Sequence, residues 1–150
     1  MDLDELYQTV ILDHAKRPRN HGEIPDADAC VHADNPSCGD ELTLYVNFSE
    51  DGSRLEDVKF TGAGCAISQA SASLMTLRVR GKSEAEAEKL RETFQELVTS
   101  TEDIDPATPP PAELGDAGLL QGVRRFPQRV KCATLAWNAL KQAIEEHAGR

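Results

Sequence analysis

The sequence predicts an α+β fold in which helices cover an antiparallel three-stranded sheet. Three observations carry that prediction. Apolar residues alternate with polar ones at Leu42, Leu44, Val46 and Phe48, and again at Val58 and Phe60 beyond a Glu50-Asp51-Gly52-Ser53 turn. Helical spacing is confined to the first segment and to the chain after Gly64. Strands come first and helices after, without the strand–helix–strand alternation of a parallel sheet.

The opening segment places Leu3, Leu6, Tyr7, Val10 and Ile11 on one helical stripe, and Arg17-Pro18-Arg19-Asn20 ends it because Pro18 disfavours a helical Arg17. A short strand is expected from Ala29 to Ala33, and Asn35-Pro36-Ser37 separates it from the 42–48 strand. Gly62-Ala63-Gly64 closes the returning strand and Cys65 opens a helix whose inner face is read as Ile67, Ala70, Leu74 and Leu77, stopped by Gly81. Ser83 with Glu86 is a capping box for the next helix, with Ala87, Leu90, Phe94 and Leu97 inward. The stretch at about 99–122 is rich in Pro, Gly and acids and reads as a long irregular insertion within a single domain, functional or mobile rather than core. From Val130 a last helix buries Leu135, Ala136, Ala139, Leu140, Ala143 and Ile144.

With 150 residues, 39% of them hydrophobic, the chain can build one core. No run approaches the roughly 18 apolar residues of a membrane span, and Asp2, Asp4 and Glu5 are unlike a secretory or transit leader. A cytoplasmic protein is expected, without membrane contact. A net charge of −10 argues against nucleic-acid binding, which needs clustered cations. Of two basic clusters, Lys16, Arg17 and Arg19 read as solvated surface. Arg124, Arg125, Arg129 and Lys131 adjoin Cys132, and a role near its thiolate stays open.

Four cysteines without a leader are not a disulfide scaffold; in a reducing compartment they are buried thiols, metal ligands or reactive groups. Cys38-Gly39-Asp40 brings a thiol and a carboxylate to either side of a glycine that tolerates a tight backbone. Cys65 follows a glycine-rich turn at a helix start, where the dipole favours a thiolate, and Cys132 is placed at the start of the last helix. All three fall at element ends, where side chains can meet at one rim of the sheet. Thiolates with a carboxylate suit tetrahedral zinc, and thiolates also suit iron–sulfur clusters. Spacing alone leaves two readings open: shared metal ligands, or three buried or incidental thiols. There is no C-x-x-C pair, and Gly62-Ala63-Gly64 lacks the residues of a phosphate-binding loop.

Three ordered blocks decide between them. Asn35-Pro36-Ser37-Cys38-Gly39-Asp40, Gly62-Ala63-Gly64-Cys65-Ala66-Ile67-Ser68 and Arg129-Val130-Lys131-Cys132-Ala133-Thr134-Leu135-Ala136-Trp137 resemble the signature blocks of the IscU/NifU N-terminal family. The opening Leu6-Tyr7 to Asp13-His14 and Arg17-Pro18-Arg19-Asn20 is similar to that family's first helix, so the resemblance spans nearly the whole chain. Within the family, the insertion and Lys131, where scaffold-type members carry a histidine, resemble the SufU branch.

That resemblance implies an IscU/SufU-like fold and one zinc held by Cys38, Asp40, Cys65 and Cys132. It implies sulfur delivery from a SufS-type, pyridoxal-phosphate-dependent cysteine desulfurase to downstream Suf assembly components. Cys38 would accept the sulfur as a persulfide, and Arg129 would stand near the site to hydrogen-bond Asp40 or an anionic sulfur. Two alternatives share these residues: a scaffold assembling a [2Fe–2S] cluster, and a structural zinc module that only binds a partner. Cys30 is read as a buried, inert thiol. His14 is read as a surface or helix-end contact, His21 and His32 are set aside as ligands, and His147 as a cation suited to a helix C-terminus. Tyr7 and Trp137 are read as core or partner-facing packing.

Overall fold

The computed structural model describes residues 3–36, 39–99 and 110–148. Helix α1, Leu3–Lys16, precedes three strands, β1 Ala29–Asn35, β2 Asp40–Phe48 and β3 Leu55–Ala63. Helices α2 Ala66–Val79 and α3 Glu84–Thr99 follow, then a 3-10 helix at Ala112–Arg125, then α4 Pro127–Ala148. The sheet order is β1-β2-β3, antiparallel throughout, with Asn35 opposite Asp40 and Leu42 opposite Gly62. The α+β class and the three-stranded antiparallel sheet are therefore as the alternation predicted.

Alternation in β2 buries Leu42, Leu44, Val46 and Phe48 on one face. Helix α4 covers that face over β1 and β2, and α2 covers it over β3. Helices α1 and α3 and the 3-10 helix pack outside these two. Residues after α1 run along the outer edge of β3, where Phe60 N–H donates to Asn20 O and Gly22 N–H to Phe60 O. The capping box forms as read: Ser83 Oγ accepts the Glu86 N–H at 3.1 Å and Glu86 Oε1 the Ser83 N–H at 3.2 Å.

Helix α2 is wrapped on nearly all sides, burying Ser68, Val79 and everything from Ala70 to Thr76. Its small Ala and Ser side chains permit close approach, and its buried hydroxyls find partners: Ser71 Oγ donates to Ala133 O at 2.6 Å, Thr76 Oγ1 to Ser73 O at 2.7 Å. The large-residue stripe expected for this helix is corrected at Leu77, which points to solvent at 49% exposure. The small residues, not the leucines alone, define the inner face.

The reading of the 99–122 stretch as irregular is also corrected where the structure describes it. From Ala112 the chain is 3-10 helical, kinked at Gly115 (φ 56°), and it contributes Leu114, Ala117, Leu120 and Val123 to the core. Arg78 from α2 lies in the kink and donates to Glu113 O at 2.8 Å. Residues 100–109 of that stretch lie outside the described residues. Helix α4 begins at Pro127 rather than Val130, since proline's missing N–H is no loss in a first turn.

Candidate metal centre

Asp40 opens β2 and is only 2% exposed. Its Oδ1 accepts the Cys65 N–H at 2.8 Å and its Oδ2 stands 3.8 Å from Cys65 Sγ. Cys65 is the N-cap of α2, extended at φ −71° and ψ 164°, with no side chain capping the helix. Its carbonyl accepts the Ser68 hydroxyl at 3.0 Å, which fixes the turn. Cys132 arrives from α4 and is buried. Because α4 starts at Pro127, Cys132 sits in the second turn and not at the helix terminus, a correction to the sequence reading.

One ligand atom from each of Asp40, Cys65 and Cys132 falls within 4.8 Å of the others. Around a tetrahedral zinc, bonds of about 2.3 Å to sulfur and about 2.1 Å to oxygen place neighbouring donors roughly 3.6–3.8 Å apart. The 3.8 Å between Asp40 Oδ2 and Cys65 Sγ already matches that spacing. The residues present fit a borderline-soft divalent ion, with two sulfurs and one carboxylate oxygen converging.

Cys38, expected as the fourth ligand, lies outside the described residues. Its neighbour Gly39 is described, with φ at 71°, the left-handed backbone that the Cys-Gly-Asp reading required of the glycine. Arg129, in the first turn of α4, is exposed, its guanidinium 4.5 Å above the Phe126 ring. Together with Cys65, Ile67, Gln128 and Cys132 it lines an open cleft over the ligand cluster. Neither α2 nor α4 carries an acidic residue in its first turn. The cleft therefore meets two positive helix ends and a guanidinium in an otherwise acidic protein.

Tyr7 packs against the core, in keeping with the sequence reading, and its phenol lies within electrostatic reach of Arg129 and Cys65. Burial pushes its phenol up, the Arg129 charge opposes that, and Cys65 adds to the rise.

Cys30 and His14 depart from their expected roles, whereas His21, His32, His147 and Trp137 do not. Cys30 is exposed on β1, because odd positions such as Ala29 and Val31 take the core face. His14 is buried at 5% exposure, its Nδ1 2.7 Å from Ser73 Oγ, which also accepts the Arg19 N–H. His21 packs edge-on against Phe60, His32 pairs with Thr43, and His147 stacks on Phe48 beside Glu84. Trp137 is fully buried against Phe94.

The chain is similar to known proteins over nearly its whole length. The model of the NifU-like N terminal domain family matches residues 6–133. The iron-sulfur cluster assembly scaffold protein IscU of Streptococcus pyogenes serotype M1 is 50% identical, over 97% of this chain and 87% of its own. The zinc-dependent sulfurtransferase SufU of Bacillus subtilis (strain 168) is 43% identical, over 99% of this chain and 95% of its own. A crystal structure from Fervidobacterium islandicum AW-1, described as an iron-sulfur cluster assembly scaffold for the SUF system, superposes with a TM-score of 0.81 at 36% identity, covering 93% of this chain and 97% of that one. Among the described residues, no helix is long and apolar enough to cross a membrane.

Proposed function

From the premise that this chain belongs to the NifU-like N terminal domain family, we propose that it is a cytoplasmic, zinc-dependent sulfurtransferase of iron–sulfur cluster assembly. It takes persulfide sulfur from a SufS-type cysteine desulfurase and passes it to downstream Suf components. The observation that carries this reading is the convergence of Asp40, Cys65 and Cys132 under an open, cationic cleft. Four protein ligands would close the coordination of a zinc ion as in a structural site, but Cys65 is exposed at the cleft, which leaves the centre within reach of a partner.

Cys38 completes the ligand set and is the sulfur acceptor. In the sequence it falls between the ends of β1 and β2, whereas Cys65 caps α2 and Cys132 is carried by α4. A residue beside a left-handed glycine, outside the helices, can leave an ion at less cost than a helix-borne one. The Cys38 thiolate attacks the outer sulfur of the partner's cysteine persulfide. A new S–S bond forms on Cys38, the partner's S–S bond breaks, and the partner's cysteine leaves as a thiolate, with no net oxidation. Zinc, when bound, keeps its thiolate ligands deprotonated at neutral pH and has no redox chemistry to consume a persulfide. Arg129 attracts the anionic sulfur at the cleft rim, and Lys131, exposed one residue before Cys132, stands where scaffold-type relatives were expected to carry a histidine.

A second reading, a scaffold for a [2Fe–2S] cluster, is favoured by the name of the 50% identical relative. Two measurements separate them. Aerobically purified protein is expected to be colourless with about one zinc per chain; a brown protein with iron exceeding zinc reverses the assignment. On incubation with desulfurase and cysteine, wild type is expected to gain a reducible sulfur that Cys38→Ala does not. Sulfur uptake by Cys38→Ala at the wild-type rate would move the acceptor elsewhere.

A further inference from the structure

The two oxygens of Asp40 do different things. Oδ1 accepts the Cys65 N–H at 2.8 Å, while Oδ2 is directed at Cys65 Sγ, 3.8 Å away. The amide belongs to the N-cap residue, outside the hydrogen-bond ladder of α2, so it is available to a carboxylate. A buried carboxylate held by an N–H makes a charge-assisted bond that fixes its rotation.

Gly64 is what lets the two groups meet. A Cβ there would lie 2.3 Å from Asp40 Oδ1, 3.0 Å from Asp40 Cγ and 2.9 Å from Ser68 Oγ. Two positions earlier, a Cβ on Gly62 would meet the Glu41 carbonyl oxygen at 2.3 Å. The end of β3 therefore runs against the start of β2 with no room for a side chain, and the chain then turns so that the Cys65 N–H faces Asp40.

We infer that Gly64 and the Cys65 amide form a latch that positions Asp40 before any ion is present, leaving it a one-oxygen ligand. The inference rests on the metal-centre reading and adds to it what orients the carboxylate ligand. Groups that orient a ligand typically change metal affinity 10- to 100-fold, roughly, when they are lost.

The latch is tested in the metal-free chain by hydrogen exchange at the Cys65 amide. Protection is expected in wild type and in Asp40→Asn, whose carbonyl oxygen still accepts, and is lost in Asp40→Ala. Equal exchange in all three overturns the latch. Zinc affinity by chelator competition is then expected to fall about 10- to 100-fold in Gly64→Ala, with weaker cobalt(II) ligand-field absorption. Gly122→Ala, where an added Cβ meets nothing within 4 Å, serves as the control and stays within about twofold of wild type. Wild-type affinity in Gly64→Ala overturns the proposal. Should Gly64→Ala fail to fold, the exchange comparison of the two Asp40 variants decides alone. A wild-type protein that binds no zinc would sink the metal-centre reading and leave the amide measurement standing.

Discussion

Trp137 donates its indole N–H to Ser71 Oγ at 3.1 Å, and Ser71 in turn donates to Ala133 O at 2.6 Å. This relay joins α2 to α4 one residue beyond Cys132, so it sets the height of Cys132 relative to Cys65. Ser71→Ala leaves the fully buried indole N–H without its partner, which costs about 1–3 kcal/mol. Urea denaturation of the metal-free protein is expected to show that loss, and zinc affinity is expected to fall with it. A stability within error of wild type would disprove the role given to the relay.

His14 makes stability depend on pH. Burial holds its imidazole below the usual histidine range, and the nearby Arg19 charge adds to this, while Asp13 and Asp116 oppose it. Because the folded chain prefers the neutral ring, the unfolded chain takes up the proton first as pH falls. The contribution is complete above the unfolded pKa of about 6.5 and is lost below it as pH falls toward and through the folded value. Stability is expected to drop as pH falls below about 6.5, the unfolded value, and His14→Gln to flatten that part of the profile although it lowers stability at neutral pH. Denaturation midpoints at several pH values read both effects; an unchanged slope in the variant would refute the assignment.

Metal removal should loosen the protein without unfolding it, since the sheet and helices share a core that does not include the ion site. Binding at a thousandfold excess over Kd stabilises by about 4 kcal/mol, and each kcal/mol moves the melting temperature of a chain this size by roughly 2–4 °C. Chelation is therefore expected to lower Tm by roughly 10 °C with far-ultraviolet circular dichroism retained. An unchanged Tm with zinc loss verified would contradict the ligand assignment.

Cys30 is exposed and is not part of the ligand cluster. Iodoacetamide is expected to modify it in the zinc-loaded protein, and Cys30→Ala to keep wild-type zinc content and sulfur uptake. Loss of either would bring Cys30 into the chemistry.

Much of this was readable from local pattern. The β2–β3 alternation and the Ser83–Glu86 box are decided by neighbours in sequence, and both appear as read. Asp40, Cys65 and Cys132 stood out as candidates at a turn and two expected helix starts, and the family resemblance rather than spacing favoured the metal reading. What local pattern missed depends on long-range contacts. Cys30 was assigned to the core from its strand, but the phase of the alternation is fixed by α4 lying over Ala29 and Val31. His14 is buried only because Ser73, 59 residues away, offers it a hydroxyl. The 3-10 helix escaped notice because short hydrophobic residues between glycines carry no helical stripe; its core contacts come from α1 to α4.

Helix α4 also decides when in the protein's life the centre can exist. On a chain made from its N-terminus, the hairpin and the first turns of α2 emerge early, and the Asp40–Cys65 contact can close across 25 residues of local chain. Cys132 emerges only when most of the polypeptide has been made, and reaches the cleft once α4 has docked on the finished sheet. An ion that needs all three donors is captured last. Retention of such an ion would mark a completed fold, and a chain that stops before α4 would lack Cys132.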